Sequence, residues 1–166
     1  SRNESVTDIE DRTIGGPATP SDVGSEADTR HREELARKEL LKKTPSQFEH
    51  FVGALLSASG YRDVCVTKVS QDGGIDVVAV ASTELWPVQG QVVQVQAKRW
   101  LHTVGRREVA ELRGSLDLHA RGVIVTTSHY SKAALREASE VGKSPIVLVD
   151  GFQLAGIAIR HSLLSL

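Results

Sequence analysis

Polar side chains that could bind a metal ion stand at the ends of two β-branched runs of the sequence. Asp76 begins the first run, and Gln96 and Lys98 close the second. Side chains at positions i and i+2 of a strand point to the same face, so Gln96 and Lys98 would share one face. On adjacent strands, a carboxylate, an amide oxygen and an ammonium could hold a divalent metal beside a nucleophilic water. We therefore predict a metal-dependent nuclease site at these residues.

A second carboxylate could reach this site from a helix. The segment 44–47, Thr-Pro-Ser-Gln, carries the signals of a helix start: a capping Thr, a Pro at the first helical position and a Gln that completes a capping box. Glu49 follows on the same stripe as Val52 and Leu56, so it leans towards the core, where an acid is costly unless a cation meets it. Glu49 is either a further metal ligand or an acid at the edge of the helix's apolar stripe.

The ligand types indicate which metal the site would take. Carboxylate and amide oxygens suit Mg²⁺, and we expect Mn²⁺ to substitute for it. Lys98 would orient the attacking water or stabilise the developing phosphorane charge. The six His and one Cys show no zinc-ligand spacing, and no phosphate-binding glycine loop is present. The alternative interpretation is that Asp76 caps a turn and Lys98 is a solvated strand end.

Basic residues gather after the lysine and are candidates for DNA binding. They could contact phosphates, or they could form a solvated helix face. The hydroxyl run 126–128 ends a buried strand, where it could reach a phosphate or the last backbone carbonyls. The candidate DNA-binding residues are Arg99, His102, Arg106, Arg107 and Arg113.

Composition divides the chain into an acidic tail and one domain. Residues 1–28 carry seven acidic and two basic residues, a net charge of −5, whereas residues 29–166 carry 18 basic and 14 acidic residues, a net charge of +4. We assign residues 1–29, rich in Ser, Thr, Gly and Pro, to a flexible linker or tail, and residues 30–166 to the domain. A mildly basic domain permits nucleic-acid binding without requiring it.

Hydrophobic periodicity predicts an α/β fold with a mixed sheet of about five strands flanked by helices, in the order α-α-β-β-β-α-β-α-β-α. The first three strands form an antiparallel meander, and the strands separated by helices are parallel crossovers. The predicted helices cover 31–43, 44–60, 104–120 and 131–141 and the region after Asp150, which opens a capping box. The predicted strands cover 63–69, 75–80, 91–97, 122–126 and 146–149.

The sequence lacks a long apolar run and a second cysteine, and both observations limit the class of protein. No apolar run approaches the roughly 18–20 residues of a membrane span, so we expect no membrane segment here. The single cysteine, Cys65, excludes an internal disulfide and fits a reducing compartment, so we expect a cytoplasmic protein. Cys65 lies between two valines, and we expect it to be a buried small hydrophobe.

Several motifs, taken in order, resemble the catalytic domain of the Mrr-type restriction endonucleases, a branch of the PD-(D/E)XK nuclease superfamily. The resemblance covers Thr44 to the C-terminus, and it rests on Phe48-Glu49, Leu55-Leu56, Gly60-Tyr61, Asp72-Gly73-Gly74-Ile75-Asp76, Val95-Gln96-Ala97-Lys98-Arg99-Trp100, Val104-Gly105, Gly122 to Ser128 and Asp150-Gly151. It implies a metal-dependent DNA endonuclease of restriction-endonuclease-like fold. It implies Asp76 as metal ligand, Gln96 in the position usually held by an acid, Lys98 as catalytic lysine and Glu49 as the helix-borne acid.

The resemblance also implies partners. Mrr-type enzymes generally carry a separate N-terminal DNA-recognition domain, and residues 1–29 are too polar to form one, so we expect such a domain upstream. The substrate would be double-stranded DNA, cut in the restriction of foreign or modified DNA, and cleavage of both strands favours a homodimer. Two alternatives stay open: a non-catalytic DNA-binding module on the same fold, and a structure-selective, junction-resolving nuclease.

Overall fold

The computed structural model describes residues 20–67, 74–82 and 90–164. Their elements follow the predicted order of two helices, three strands and then alternating helices and strands. The helices are α1 (Pro20–Leu41), α2 (Pro45–Ala58), α3 (Arg106–Ser115), α4 (Lys132–Ala138) and α5 (Gly151–Arg160). The strands are β1 (Arg62–Val66), β2 (Val77–Val80), β3 (Val92–Lys98), β4 (Arg121–Thr126) and β5 (Ile146–Val149).

Two helices begin where their capping signals predicted. Thr44 caps α2, accepting from the backbone N–H of Gln47 while the Gln47 side chain accepts from the Thr44 N–H. Asp150 and Gln153 form the same reciprocal pair at the start of α5. Each box satisfies N–H groups that a helix start otherwise leaves without a partner.

The sheet confirms the predicted mixed topology. Its spatial order is β1-β2-β3-β4-β5, with β1, β2 and β3 antiparallel and β3, β4 and β5 parallel. In the parallel part, a helix between successive strands returns the chain to the same edge of the sheet. The carboxyl ends of β3 and β4 therefore lie side by side, with Lys98 beside Thr126.

The sheet separates two apolar cores. On one face, α1, α2 and α5 cover the centre of the sheet, where Val77, Val95 and Val125 are buried. On the other face, α3 and α4 pack on Ile124 and Ile146. Because side chains alternate along a strand, burial of Val93 and Val95 on the first face sends Gln94, Gln96 and Lys98 to the second.

The first helix begins earlier than the sequence indicated. We predicted a helix over residues 31–43 and a flexible tail over 1–29, whereas α1 starts at Pro20 and so includes the last part of that tail. Directly before the predicted start, a tertiary contact anchors the helix, since the guanidinium carbon of Arg30 lies 4.6 Å from the ring centroid of Phe152 on α5. Residues 1–19 lie outside the described residues.

The third helix ends earlier than predicted because a side chain captures the chain beyond it. Helical periodicity extended to Ala120, but α3 stops at Ser115 and Leu116 is extended. The backbone N–H of Asp117 donates to Oε1 of Gln94 at 2.9 Å, which draws the chain away from the helix. The fourth helix, predicted to Val141, likewise ends at Ala138.

Cys65 is exposed, so the expectation of a buried cysteine is wrong. It lies on β1, an edge strand whose Val64 and Val66 pack into the core on the face that α2 covers. The alternation of a strand turns Cys65 to the opposite face. The neighbouring turn at residues 70–73 lies outside the described ranges, as does Trp86.

None of the helices in the described part of the chain is long and apolar enough to span a membrane.

Candidate active site

Asp76 lies directly before β2, beside the carboxyl end of β3. Its backbone N–H donates to the carbonyl of Val95 at 2.8 Å, and its Oδ2 accepts from the N–H of Ala97 at 2.7 Å. The antiparallel register pairs Val77 with Val95, and continuing it by one residue places Asp76 opposite Gln96. The two residues that the sequence separates by a long interval are therefore neighbours.

Two glutamines on the same face of β3 have different surroundings. The amide of Gln94 is satisfied at both ends, since Nε2 donates to Oδ2 of Asp117 at 2.6 Å and Oε1 accepts from the Asp117 N–H. The Oε1 of Gln96 is buried without a hydrogen-bond partner among the described residues. A buried polar oxygen without a partner is uncommon and calls for a reason such as an ion.

Gly74 makes room for the amide of Gln96. A Cβ at position 74 would lie 2.2 Å from Nε2 of Gln96, closer than any side-chain atom can come. Gly74 also has a φ of +74°, in the left-handed region that favours glycine. The glycine two residues before Asp76 therefore permits the close approach between this segment and the Gln96 side chain of β3.

The electrostatics around Asp76 favour a bound cation. Burial is the largest influence on its carboxyl group and, with repulsion from Glu49, raises the pKa to about 6 against the lowering effects of the Ala97 N–H and Lys98. Glu49 is half-buried on α2, on the turn between the buried Phe48 and Phe51. Two carboxylates that repel one another at a partly buried position are stabilised when a cation joins them.

Lys98 lies at the end of β3 in a partly buried position. Burial is the largest influence and lowers its pKa, while the negative charges of Glu108, Asp76 and Glu111 act in the opposite direction. Its Nζ lies 4.2 Å from the ring centroid of Trp100. It forms no salt bridge with a described residue, so its ammonium hydrogens can face a substrate.

The ligands present fit a hard divalent cation. In the described part of the chain, no group of three or more His, Cys, Asp or Glu residues is arranged to hold a metal ion. The candidate set is instead two carboxylates, Asp76 and Glu49, and the buried amide oxygen of Gln96. Mg²⁺ accepts such a set because it binds through one or two carboxylates and retains several waters.

Comparisons with known proteins show the family of this chain. The family model of the Mrr catalytic domain, described as a restriction endonuclease, matches residues 40–158. The chain belongs to this family of restriction endonucleases. The Mrr-type domain is 37% identical over 129 residues to the type IV methyl-directed restriction enzyme EcoKMrr of Escherichia coli (strain K12), and the match covers 74% of this chain and 40% of EcoKMrr.

Two solved structures share the fold of the Mrr-type domain. The DNA modification-dependent restriction endonuclease AspBHI superposes with a TM-score of 0.61 at 24% identity, over 93% of this chain and 40% of AspBHI. The MspJI restriction endonuclease, solved in complex with a 27-mer oligonucleotide, gives a TM-score of 0.52 at 24% identity, over 92% of this chain and 35% of MspJI. The chain therefore spans less than half the length of each of these relatives.

Two of the five candidate DNA-binding residues converge on a buried acid of the Mrr-type domain. Glu137 on α4 is 3% exposed, and it accepts from Nε of Arg106 at 2.7 Å, from Nζ of Lys143 at 3.0 Å and from Nη1 of Arg113. Hydrogen bonds from Lys143, then Arg106 and Arg113, lower the pKa of Glu137 to about 2. Glu137 is not among the residues predicted from the sequence, where its signal is an acid on the same face of a short helix as the buried Ala134.

The other three candidates also have protein partners. Arg107 pairs with Glu111 one turn along α3 at 2.6 Å, although both side chains are largely exposed. Arg99 donates to the carbonyl of Leu41 at the end of α1, at 3.1 Å, and its Nε is buried without a described partner. His102 stacks on Trp100 with ring centroids 4.3 Å apart. Their role in DNA binding stays a prediction.

The hydroxyl run 126–128, at the end of β4, supports the backbone at and directly after Lys98. All three residues are buried, and each hydroxyl donates to a backbone carbonyl between the last residue of β3 and residue 101. Two roles were left open for these hydroxyls, contact with a phosphate or with backbone carbonyls, and the structure shows the hydrogen bonds to backbone carbonyls. The bonds run from Thr126 to Lys98 at 2.8 Å, from Thr127 to Trp100 at 2.8 Å and from Ser128 to Leu101 at 3.2 Å.

Proposed function

We propose that this chain is the catalytic domain of a divalent-metal-dependent DNA endonuclease, which hydrolyses phosphodiester bonds in the restriction of foreign or modified DNA. The observation that carries the proposal is the placement of Asp76 opposite Gln96, whose buried Oε1 has no partner among the described residues. Family membership supports the reaction class, and the methyl-directed relative supports modified DNA as the target.

Three residues would hold the metal. Asp76 would bind through its carboxylate, which the Ala97 N–H orients through Oδ2. Gln96 would contribute its buried amide oxygen and Glu49 a second carboxylate, directly or through water. We propose Mg²⁺ as the natural ion and Mn²⁺ as a substitute, because both accept oxygen ligands. When bound, such an ion lowers the pKa of water and polarises the phosphoryl oxygen.

Lys98 would act on the reacting groups from the same face of β3. Its ammonium has no salt-bridge partner among the described residues, so it can donate to the attacking water or to a phosphate oxygen. A donor fixed in advance stabilises the negative charge that develops on the phosphate, and partial burial strengthens the interaction. The hydroxyl run 126–128 would keep the backbone of this segment in place.

A cleavage assay tests this proposal. Supercoiled plasmid, methylated and unmethylated, is incubated with the chain in Mg²⁺, Mn²⁺ or EDTA, and nicked and linear products are measured. We expect cleavage with either metal, none with EDTA, and a loss of at least about 100-fold in Lys98→Ala. Lys132→Ala, which removes an exposed lysine of α4, is the matched control and should cut like the wild type. Equal cutting by wild type and Lys98→Ala would refute the role of Lys98.

A second candidate function keeps the fold without the reaction. Gln96 supplies a neutral ligand where the resemblance leads to an acid, which favours a DNA-binding module that no longer cuts. That function would show salt-dependent DNA binding that survives Asp76→Ala, with no cleavage in any metal. Branched substrates included in the same assay separate a junction-resolving nuclease from one that cuts linear duplex.

Further parts of the proposal concern the whole protein. We propose that two copies act together to cut both strands, that a recognition domain outside residues 1–166 selects the site, and that the protein acts in the cytoplasm. The length of the methyl-directed relative, of which this chain spans 40%, supports the presence of a further domain. Sedimentation of the chain with and without duplex DNA measures the assembly state.

A further inference from the structure

Two stacked rings, those of Trp100 and His102, lie between Lys98 and the protein surface. Nζ of Lys98 lies 4.2 Å from the ring centroid of Trp100, and the Trp100 indole stacks on the imidazole of His102 with an interplanar angle of 26°. His102 is exposed, whereas Lys98 and Trp100 are half-buried. The ring is thus placed between the reacting end of β3 and the solvent.

The backbone of Trp100 is held on both sides. Its N–H donates to the carbonyl of Lys98 at 2.9 Å, which turns the chain directly after the strand. Its own carbonyl accepts from the buried hydroxyl of Thr127 at 2.8 Å. These two bonds fix the backbone from which the indole ring projects.

The acids that attract Lys98 are each engaged elsewhere. Three carboxylates act electrostatically on its ammonium, yet none of them forms a salt bridge with it. The partners that hold them are the Ala97 N–H for Asp76 at 2.7 Å, the Gly105 N–H for Glu108 at 2.9 Å and the guanidinium of Arg107 for Glu111 at 2.6 Å.

We propose that Trp100 is the positioning residue of Lys98: its ring face holds the ammonium at the active site in place of a carboxylate partner. The proposal rests on the proposed function, in which Lys98 acts on the scissile phosphate or the attacking water. An aromatic face attracts a cation without neutralising it and accepts no proton from it. A carboxylate in the same place would take hydrogen bonds that the phosphate needs and would repel the phosphate itself.

Activity measurements compare residues that keep the ring face with one that removes it. Trp100→Leu keeps an apolar side chain, and we expect its kcat to fall about tenfold, within the roughly 2- to 30-fold range of such a contact, while KM changes less than about twofold. Trp100→Phe and Trp100→Tyr should keep kcat within about threefold. Mg²⁺ affinity, measured by calorimetry, should be unchanged in all three. Equal losses in the Leu and Phe variants, or a loss of Mg²⁺ affinity alongside kcat, would overturn the proposal.

A fluorescence measurement tests the contact independently of cleavage. Trp86 is the other tryptophan of the sequence, so in a Trp86→Phe background the emission reports on Trp100. Lys98→Met should change the intensity or maximum of that emission, because it removes a charge beside the indole. Lys43→Met, which removes a lysine 5.4 Å from the Phe51 ring centroid, should leave it unchanged. If Lys98→Met leaves the emission unchanged, the contact does not exist in solution and the proposal fails.

If the wild type cuts no DNA in any metal, the proposed function fails, and the fluorescence alone then decides whether Trp100 holds Lys98.

Discussion

The carboxylate of Asp76 accepts a 2.7 Å hydrogen bond from the backbone N–H of Ala97, which joins the start of one strand to the end of its neighbour. This bond orients one carboxylate oxygen at a position where burial and Glu49 both oppose its negative charge. In the metal-free chain, the fold therefore disfavours the ionised form of the Asp76 carboxylate. A bound metal ion would stabilise that ionised form.

Asp76→Asn should stabilise the metal-free chain at neutral pH while abolishing cleavage. The pKa of Asp76 is raised to about 6 from 3.8, so the folded state favours the protonated carboxyl; the stability this provides is complete below 3.8 and is lost as the pH rises through 6. At pH 7.5 in EDTA, neutral Asn should gain about 1 kcal/mol after allowance for solvent screening. Thermal unfolding measures the gain, which should vanish near pH 4. Asp117→Asn is the control. An equal gain in stability in that variant would contradict the inference that the fold specifically disfavours the charge of Asp76.

Replacing each of the two glutamines by methionine should have opposite consequences. Gln94→Met leaves the Asp117 N–H and carboxylate without their partners, and should cost about 1–3 kcal/mol of stability. Gln96→Met removes an oxygen that has no described protein partner, so stability should change by less than about 0.5 kcal/mol. Mg²⁺ affinity should fall at least about tenfold in Gln96→Met and stay near wild type in Gln94→Met. Denaturant titration and calorimetry measure the two quantities, and a reversed pattern would exclude Gln96 as a ligand.

Gly74→Ala should weaken metal binding at the proposed site. A Cβ at position 74 would overlap Nε2 of Gln96, and the positive φ of Gly74 adds a backbone cost of roughly 1–2 kcal/mol. We expect Mg²⁺ affinity to fall about tenfold as the Gln96 amide is displaced. Gly114→Ala is the matched control, because its added Cβ meets no atom within 4 Å apart from its chain neighbours and the backbone of its own helix, and it lies in the last turn of α3. That change should raise stability by about 0.5–1 kcal/mol. Unchanged Mg²⁺ affinity in Gly74→Ala would contradict the proposed cradle.

Glu137→Gln should lower the thermal midpoint and alter the acid denaturation of the chain. The pKa of Glu137 is lowered to about 2 from 4.5, so its contribution to stability is present above 4.5 and is lost as the pH falls through 2. The variant should therefore be less stable at pH 7 and should lose less stability on acidification than the wild type. Glu140→Gln removes an exposed partner of Lys143 and should change the midpoint by far less. Circular dichroism melts between pH 7 and pH 3 measure both effects.

Local sequence determined the elements and the directions of their side chains. The capping boxes at Thr44 and Asp150 placed two helix starts, and the apolar run Ile146–Val149 gave the last strand with its observed bounds. The period of two along β3 is sufficient to place Gln96 and Lys98 on one face. These features depend on residues within one or two turns of the chain, so they can be derived from spacing alone.

Tertiary structure decided which residues are partners. The register between β2 and β3 brings Asp76 opposite Gln96, and Asp117 occupies the amide of Gln94 while leaving Gln96 free for another ligand. Two of the candidate DNA-binding arginines, Arg106 and Arg113, pair with Glu137, a contact that their spacing in the sequence does not reveal. Sequence spacing fixes the direction in which a side chain points. Its partner, however, comes from a distant segment of the chain that packing brings near. The contact with this partner decides whether a polar group is satisfied or reactive.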